Sequence, residues 1–509
     1  MKKIIILSIL ASFMITSCEQ DLDIPNPNEA TVEAFWKNGD DAVAGVNAVY
    51  STLHRGAISR WMPFYYIVRS DEGRSTSPAT DIVNNMDQFI ITDYNFWGAY
   101  DIWKDLYVGV FRANQVLDNV PQIQMDESLK QRVIGEAKFL RGLFYYNLVS
   151  LWGNVPLMLH ASTPDDKPAT STADVIWAQI EQDLSEAATA LPTTYGAADL
   201  GRATQGAAYA LLAKAHMQQR DYQSALAPLQ WLVEGPGKAI YNLMPAYREN
   251  FLITSENNAE SVFEWQFELN SGENHDDDTD MSRPDNLNYG TSIAQFFGPS
   301  GIGWSDGEAH RWLTNEFTEM TTGGQRDPRL GASLLYDFTD PAGPAATMIY
   351  GQTFLQRFGA GNNRVWFRKF QNDHWKNFEG YNSPNNWRYI RYADVLLMYA
   401  EALNATGSTS TAYQYVDRVR QRAGLPTLTS TKPGMTQAQF LDQIKHERIT
   451  ELSGEGHRWN DLARWNDLGP GLAVRDPAFA NFVVGKHELL PIPQQEIDIN
   501  PELDQNTNW

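Results

Sequence analysis

The chain has 509 residues, 43 % hydrophobic and 20 % charged, so it can fold around its own core and is neither fibrous nor disordered. Its formal net charge of −22 excludes a nucleic-acid binder and argues, for the surface as a whole, against strongly anionic ligands. The only cysteine is Cys18, so no internal disulfide can form and stability must come from packing.

The first 17 residues read as a secretion signal. Lys2 and Lys3 precede an apolar run from Ile4 to Ile15, broken only by Ser8 and Ser12, that is short for a membrane span. The run ends in Ile15-Thr16-Ser17-Cys18, which resembles a bacterial lipobox, with Ile15 and Thr16 as departures from its usual pattern. Lipidation of Cys18 is therefore expected, and it would be the sole anchor. Cleavage before Cys18 removes two lysines and no acid, which takes the net charge from −22 to −24. Residues 18–30, with Pro25, Asn26, Pro27 and Asn28, read as a tether, and 31–509 as one domain.

Helical periodicity then dominates. It predicts a helix over Gln131 to Trp152 and a second over Gly206 to Met217. After a turn at Asp221-Tyr222 a third carries Ala225, Leu226, Leu229, Leu232 and Val233. The alanines of this pair allow close helix approach, the design of tetratricopeptide-like units. Further helices are predicted over Asp394 to Asn404, over Ala412 to Ala423 with Gly424 as C-cap, and over Gln437 to Gly454. The expected fold is mainly α: a tetratricopeptide-like helical-repeat scaffold.

Two stretches, 268–310 and 321–386, lack helical period and are rich in Gly, Pro, Asn, Asp and aromatics. They read as long irregular insertions, and long loops inside a compact protein are usually functional. Sugar rings present flat C–H faces that stack on Trp and Tyr. Among 16 tryptophans, those at helical core spacing (Trp152, Trp177, Trp231, Trp459) read as packing. Those in irregular stretches, Trp97, Trp304, Trp366, Trp375 and Tyr381, are the candidates for a ligand. The acidic loop Asp276 to Asp280 has oxygen ligands for calcium, but its spacing is not an EF-hand and it reads as a solvated loop; no cofactor is expected.

Several segments, in order along the chain, resemble the SusD/RagB family. They include Leu140-Arg141 to Gly153-Asn154-Val155-Pro156, Arg202 to Ala215, Arg388-Tyr389-Ile390-Arg391-Tyr392-Ala393-Asp394 to Asn404, and Val416 to Pro426. Glu447-Arg448-Ile449-Thr450-Glu451, Glu455-Gly456-His457-Arg458-Trp459 and Leu490-Pro491-Ile492-Pro493 follow. Thr450 and the end after Asn506 depart from the family pattern. The resemblance implies a non-enzymatic glycan-binding lipoprotein on the cell surface, acting as lid of a SusC-like TonB-dependent outer-membrane transporter. It implies a binding role for Asp71, Arg74, Asn95 and Trp97, in and after Ser70-Asp71-Glu72, and it places Trp304 near the family's mid-chain loop. Trp366, Trp375 and Tyr381 rest on the loop argument alone.

Two other functions fit the sequence less well. A helical glycoside hydrolase needs two placed carboxylates, and none stands out. Glu447, Arg448 and Glu451 share a helix face, with Arg458 near in sequence, and read as structural ion pairs. A repeat scaffold that binds only protein would not need the aromatic loops. The negative charge favours neutral polymers such as β-glucans, fructans or chitin-like chains.

Overall fold

A computed structural model describes residues 35–77, 82–269, 290–337 and 348–509. The signal segment, Cys18, the tether and the acidic loop 276–280 lie outside the described residues.

The longer helices are α1 (Gly39–Ser51), α2 (Trp97–Asn119), α3 (Glu127–Trp152), α4 (Ala173–Ala190) and α5 (Gln205–Gln218). After them come α6 (Tyr222–Val233), α7 (Tyr392–Ala405), α8 (Thr409–Arg422), α9 (Gln437–Leu452) and α10 (Arg458–Trp465). From α2 to α8 each helix packs on the next, the neighbour-on-neighbour order of a helical repeat scaffold. The fold is mainly α, as the periodicity predicts.

Local chemistry sets the ends. Asp126 accepts from the Leu129 amide at 2.9 Å and starts α3 four residues ahead of the predicted Gln131. Thr204 caps α5, and Asp221 caps α6 by accepting from the Ser224 amide at 3.1 Å. Gly424 adopts φ +74°, so the Leu425 amide folds back onto the Arg420 carbonyl at 2.9 Å and closes α8. Along α5 the alanines at 207, 208, 210, 213 and 215 are all fully buried. Gly206 permits the closest approach, because a Cβ there would lie 2.2 Å from the Tyr241 hydroxyl.

The far C-terminus is stapled to α3. Buried Trp152 donates Nε1 to the Pro491 carbonyl at 3.0 Å, and Asn506 Nδ2 donates to the Trp152 carbonyl at 2.8 Å. Burying a side chain of this size stabilises the fold by about 1.5–3 kcal/mol or more.

The charged face of α9 is interior. Glu447 meets Arg329 at 2.6 Å and Arg420 at 3.0 Å, and Arg448 meets Asp461 at 2.7 Å and Asp394 at 2.8 Å. Glu451 is enclosed by Arg329, Arg391 and Arg422. Burial pushes its carboxyl up, but the three arginines outweigh that and hold it at about 2. These are the structural ion pairs expected from sequence.

Strands are few and short. Strand β1 (Gly73–Ser75) pairs antiparallel with β3 (Gly307–Ala309), with Arg74 opposite Glu308. Strand β2 (Ser261–Trp265) pairs antiparallel with β4 (Trp387–Arg391). These two ribbons hold the insertions against the helices.

Candidate functional site

The motif Gly301-Ile302-Gly303-Trp304 builds one half of the site. Gly301 takes φ +80°, and a Cβ on Gly303 would lie 2.5 Å from the Gln295 carbonyl. Only glycines allow this turn, in which the Trp304 amide donates to Gln295 O at 2.7 Å. Trp304 is thereby turned outward and left 47 % exposed. Its ring leans edge-on against Phe296 (5.0 Å) and Tyr381 (5.4 Å, planes at 84°).

The other half is the loop 372–383, fixed from beneath by a buried polar network. Glu379 accepts from the Asn372 amide (2.7 Å), from Asn372 Nδ2 (2.7 Å) and from the Tyr350 hydroxyl (2.8 Å). Burial raises the Glu379 carboxyl above its ordinary value, while the hydrogen bonds from Asn372 and Tyr350 oppose the rise. The Glu379 amide donates to the Ile302 carbonyl at 2.9 Å, which joins this loop to the first. The loop presents Phe378, 69 % exposed, and Trp375, whose Nε1 donates to Asn372 Oδ1 at 3.0 Å under the ammonium of Lys376. A buried hydrogen-bonded network of this kind makes a rigid base for an exposed aromatic surface.

A guanidinium rim borders the platform. Arg74 donates Nη2 to Glu308 at 2.8 Å across the β1–β3 ribbon, and Arg364 pairs with the same carboxylate while donating to Ser305 Oγ at 2.7 Å. Arg357 donates to the Gly301 carbonyl at 3.3 Å.

Of the residues predicted from sequence, Trp304 and Tyr381 touch, Trp375 shares the Tyr381 loop, and Arg74 stands on the rim. Two expectations are corrected. Trp366 is 1 % exposed, with Nε1 on Ser305 Oγ at 3.0 Å and its ring against Phe354 and Phe358, so it packs beneath the loops. Asp71 is also buried, and both of its oxygens are taken by Arg458 and Arg475. It has no free edge for a sugar hydroxyl. Asn95 is exposed on a separate loop, where its Oδ1 accepts from the Gln495 amide at 2.7 Å. Trp97 opens α2, and its side chain lies outside what the structure describes.

Sequence reasoning missed Phe378, Arg357 and Arg364. Phe378 lies between Trp375 and Tyr381, and Arg364 lies two residues before Trp366, so both sit beside aromatics of the irregular stretches. A separate cavity of about 380 Å³ lies along α2, lined by Trp103, Tyr107, Phe111, Met158 and Ile499, and shares no residue with the platform.

Residues 259–509 match the model of the SusD family, and residues 69–217 match a second model described as starch-binding associating with outer membrane. The chain belongs to the SusD family. SusD-like protein P25 of Formosa agariphila is 27 % identical over 98 % of this chain and 97 % of its own length. A SusD superfamily protein from Bacteroides vulgatus has a TM-score of 0.82 at 27 % identity, covering 93 % of this chain and 100 % of its own. A laminarin-binding SusD-like protein reaches a TM-score of 0.77 at 29 % identity, with 93 % and 100 % covered. The helical scaffold is thus the SusD fold, and the loops that carry Trp304 and Tyr381 lie within the stretch matched by the SusD family model.

Proposed function

We propose that this SusD-family protein captures a glycan at the cell surface and passes it to a SusC-like TonB-dependent transporter, for which it serves as the lid. The observation that carries the reading is the Trp304–Tyr381 platform: an exposed Trp304 ring 5.4 Å from the half-buried Tyr381 ring, on loops held by buried hydrogen bonds. Such a surface matches the apolar face of a sugar ring, with Arg74 and Arg364 beside it for hydroxyls. The laminarin-binding relative of the same fold supports a glycan as ligand.

Binding without catalysis fits the carboxylates nearby. Glu308 is committed to two arginines and Glu379 to Asn372 and Tyr350, so neither is placed as acid or base toward the platform. A lid needs no chemistry. A lipid on Cys18 and a tether through residue 30 would hold the protein at a barrel mouth at high effective concentration. Ligand shared between lid and barrel would favour the closed state through its differential affinity.

The test of capture is calorimetric titration of glycans into wild type and Tyr381→Ala. The reading expects weaker binding by the folded variant. The test of the lid is tagged extraction from native membranes in mild detergent. Recovery of a TonB-dependent barrel supports it; no barrel, with glycan uptake unchanged on deletion, refutes it and leaves a free-standing binder.

A further inference from the structure

The rim beside Trp304 carries exposed guanidiniums although the chain as a whole is acidic. Arg74 and Arg364 keep side chains 45 % and 39 % exposed while sharing one fully buried carboxylate, Glu308. One carboxylate cannot neutralise two guanidiniums. Arg357, half-buried, rests on a neutral carbonyl, that of Gly301. Among the described residues the other acids here include Asp306, half-buried and accepting from Ser77 Oγ at 3.4 Å, Asp87, buried and within electrostatic reach of Arg74, and Glu379, whose carboxyl is buried. Among the described residues, Arg74 and Arg364 are the solvent-facing charges of this rim, and its acids are buried or half-buried.

Arg364 is also fixed in place: its Nε is on Glu308 and its guanidinium lies over the Trp366 ring at 5.2 Å. Its Nη2 is held by Ser305 Oγ at 2.7 Å, and Ser305 follows Trp304 directly, at φ +61°. Among the described residues Arg74 commits only Nη2, so the rest of its fork stays available. A neutral sugar needs hydroxyl partners, which any amide or hydroxyl supplies. A planar guanidinium fork at fixed charge matches an oxyanion, bonded in two places.

We infer that the platform is built for an anionic glycan, carrying uronate carboxylates or sulfate esters, with a ring on Trp304 and the anionic group on Arg74, Arg364 and Arg357. The inference rests on the glycan-capture reading and names the class of ligand. It reverses the preference for neutral polymers drawn from net charge. Net charge sums every charged group of the chain, buried pairs included, and exposed charges more than roughly 8–10 Å away are largely screened in physiological salt.

The test uses the mature chain carrying Cys18→Ala in affinity electrophoresis and calorimetry. The probes are a polyuronate and its carboxyl-reduced form, a sulfated galactan and its desulfated form, and a neutral β-glucan. The expected result is binding of one charged parent, weakened about tenfold or more when its charge is removed. Which parent binds distinguishes carboxylate from sulfate. Arg364→Gln and Arg357→Gln should each narrow the gap between charged and stripped forms. Arg357→Gln disturbs only a carbonyl contact, so it serves if Arg364→Gln fails to fold. Equal binding of charged and stripped forms, or binding of the β-glucan alone, overturns the inference and leaves glycan capture standing. Binding of none of the five overturns both.

Discussion

Arg458 on α10 grips Asp71 through two parallel hydrogen bonds, Nε to Oδ1 at 2.6 Å and Nη2 to Oδ2 at 2.9 Å, across 387 residues of chain. The pair is buried, and Arg475 adds a third bond at 3.1 Å. Burial raises the Asp71 carboxyl, and the two arginines more than reverse this, so it stays ionised. Asp71→Ala would strand a buried guanidinium and should destabilise the protein by about 3–5 kcal/mol. Chemical denaturation measures this. Glycan affinity of the remaining folded protein should be unchanged; a stable variant with lost affinity would return Asp71 to the site.

Trp366 gives the complementary test of buried against exposed aromatics. Trp366→Ala leaves a cavity under Phe354 and Phe358 and should cost about 3–5 kcal/mol of stability. A variant as stable as wild type in thermal unfolding would contradict the packing role.

The neighbour of Asp71 makes stability depend on pH. Burial, opposed by Arg458, pushes the Glu72 carboxyl up to about 8 from an ordinary 4.5. Between those values the folded protein keeps a proton that the unfolded chain has released, so Glu72 lowers stability as pH rises, by at most about 1.4 kcal/mol per unit. His457, held near 4 by burial, acts oppositely: its contribution is lost as pH falls from 6.5 to 4. Between pH 6.5 and 8 His457 adds no further pH dependence, and comparison with Glu72→Gln cancels other groups that titrate there, such as Glu256, which burial raises to about 7. Urea unfolding should show wild type losing stability across this range relative to Glu72→Gln; parallel curves would refute the buried proton.

Lipidation is expected at Cys18. Cys18→Ala should release the protein from the outer-membrane fraction, as followed by blotting of fractionated cells. Pelleting at the wild-type level would mean a different anchor.

The helices were legible because each signal is local. The alanines of α5, the turn at Asp221-Tyr222 and Gly424 as C-cap act within a turn or two of themselves, and the structure keeps them in those roles, with Asp221 capping α6 as well. The site was legible only in part, because exposure depends on distant partners. Trp304 and Trp366 look alike in sequence, both aromatic in Gly- and Asn-rich stretches. Gly303 and the Gln295 carbonyl turn one outward, while Ser305, Phe354 and Phe358 close over the other. Asp71 misled for the same reason, since its partners Arg458 and Arg475 lie near the far end of the chain. Arg364 carried no local signal beyond lying two residues before Trp366; its importance comes from meeting Arg74 on the single carboxylate of Glu308.

The most direct test of the account is the binding isotherm of Trp304→Ala beside wild type, with the glycan that wild type binds. Trp304 is half exposed and supports little of the core, so the variant should fold and melt as wild type does. The account predicts that its affinity falls by on the order of 1–3 kcal/mol, the loss of a stacking anchor. An unchanged isotherm from a normally folded Trp304→Ala protein would contradict it and place the glycan elsewhere on the molecule.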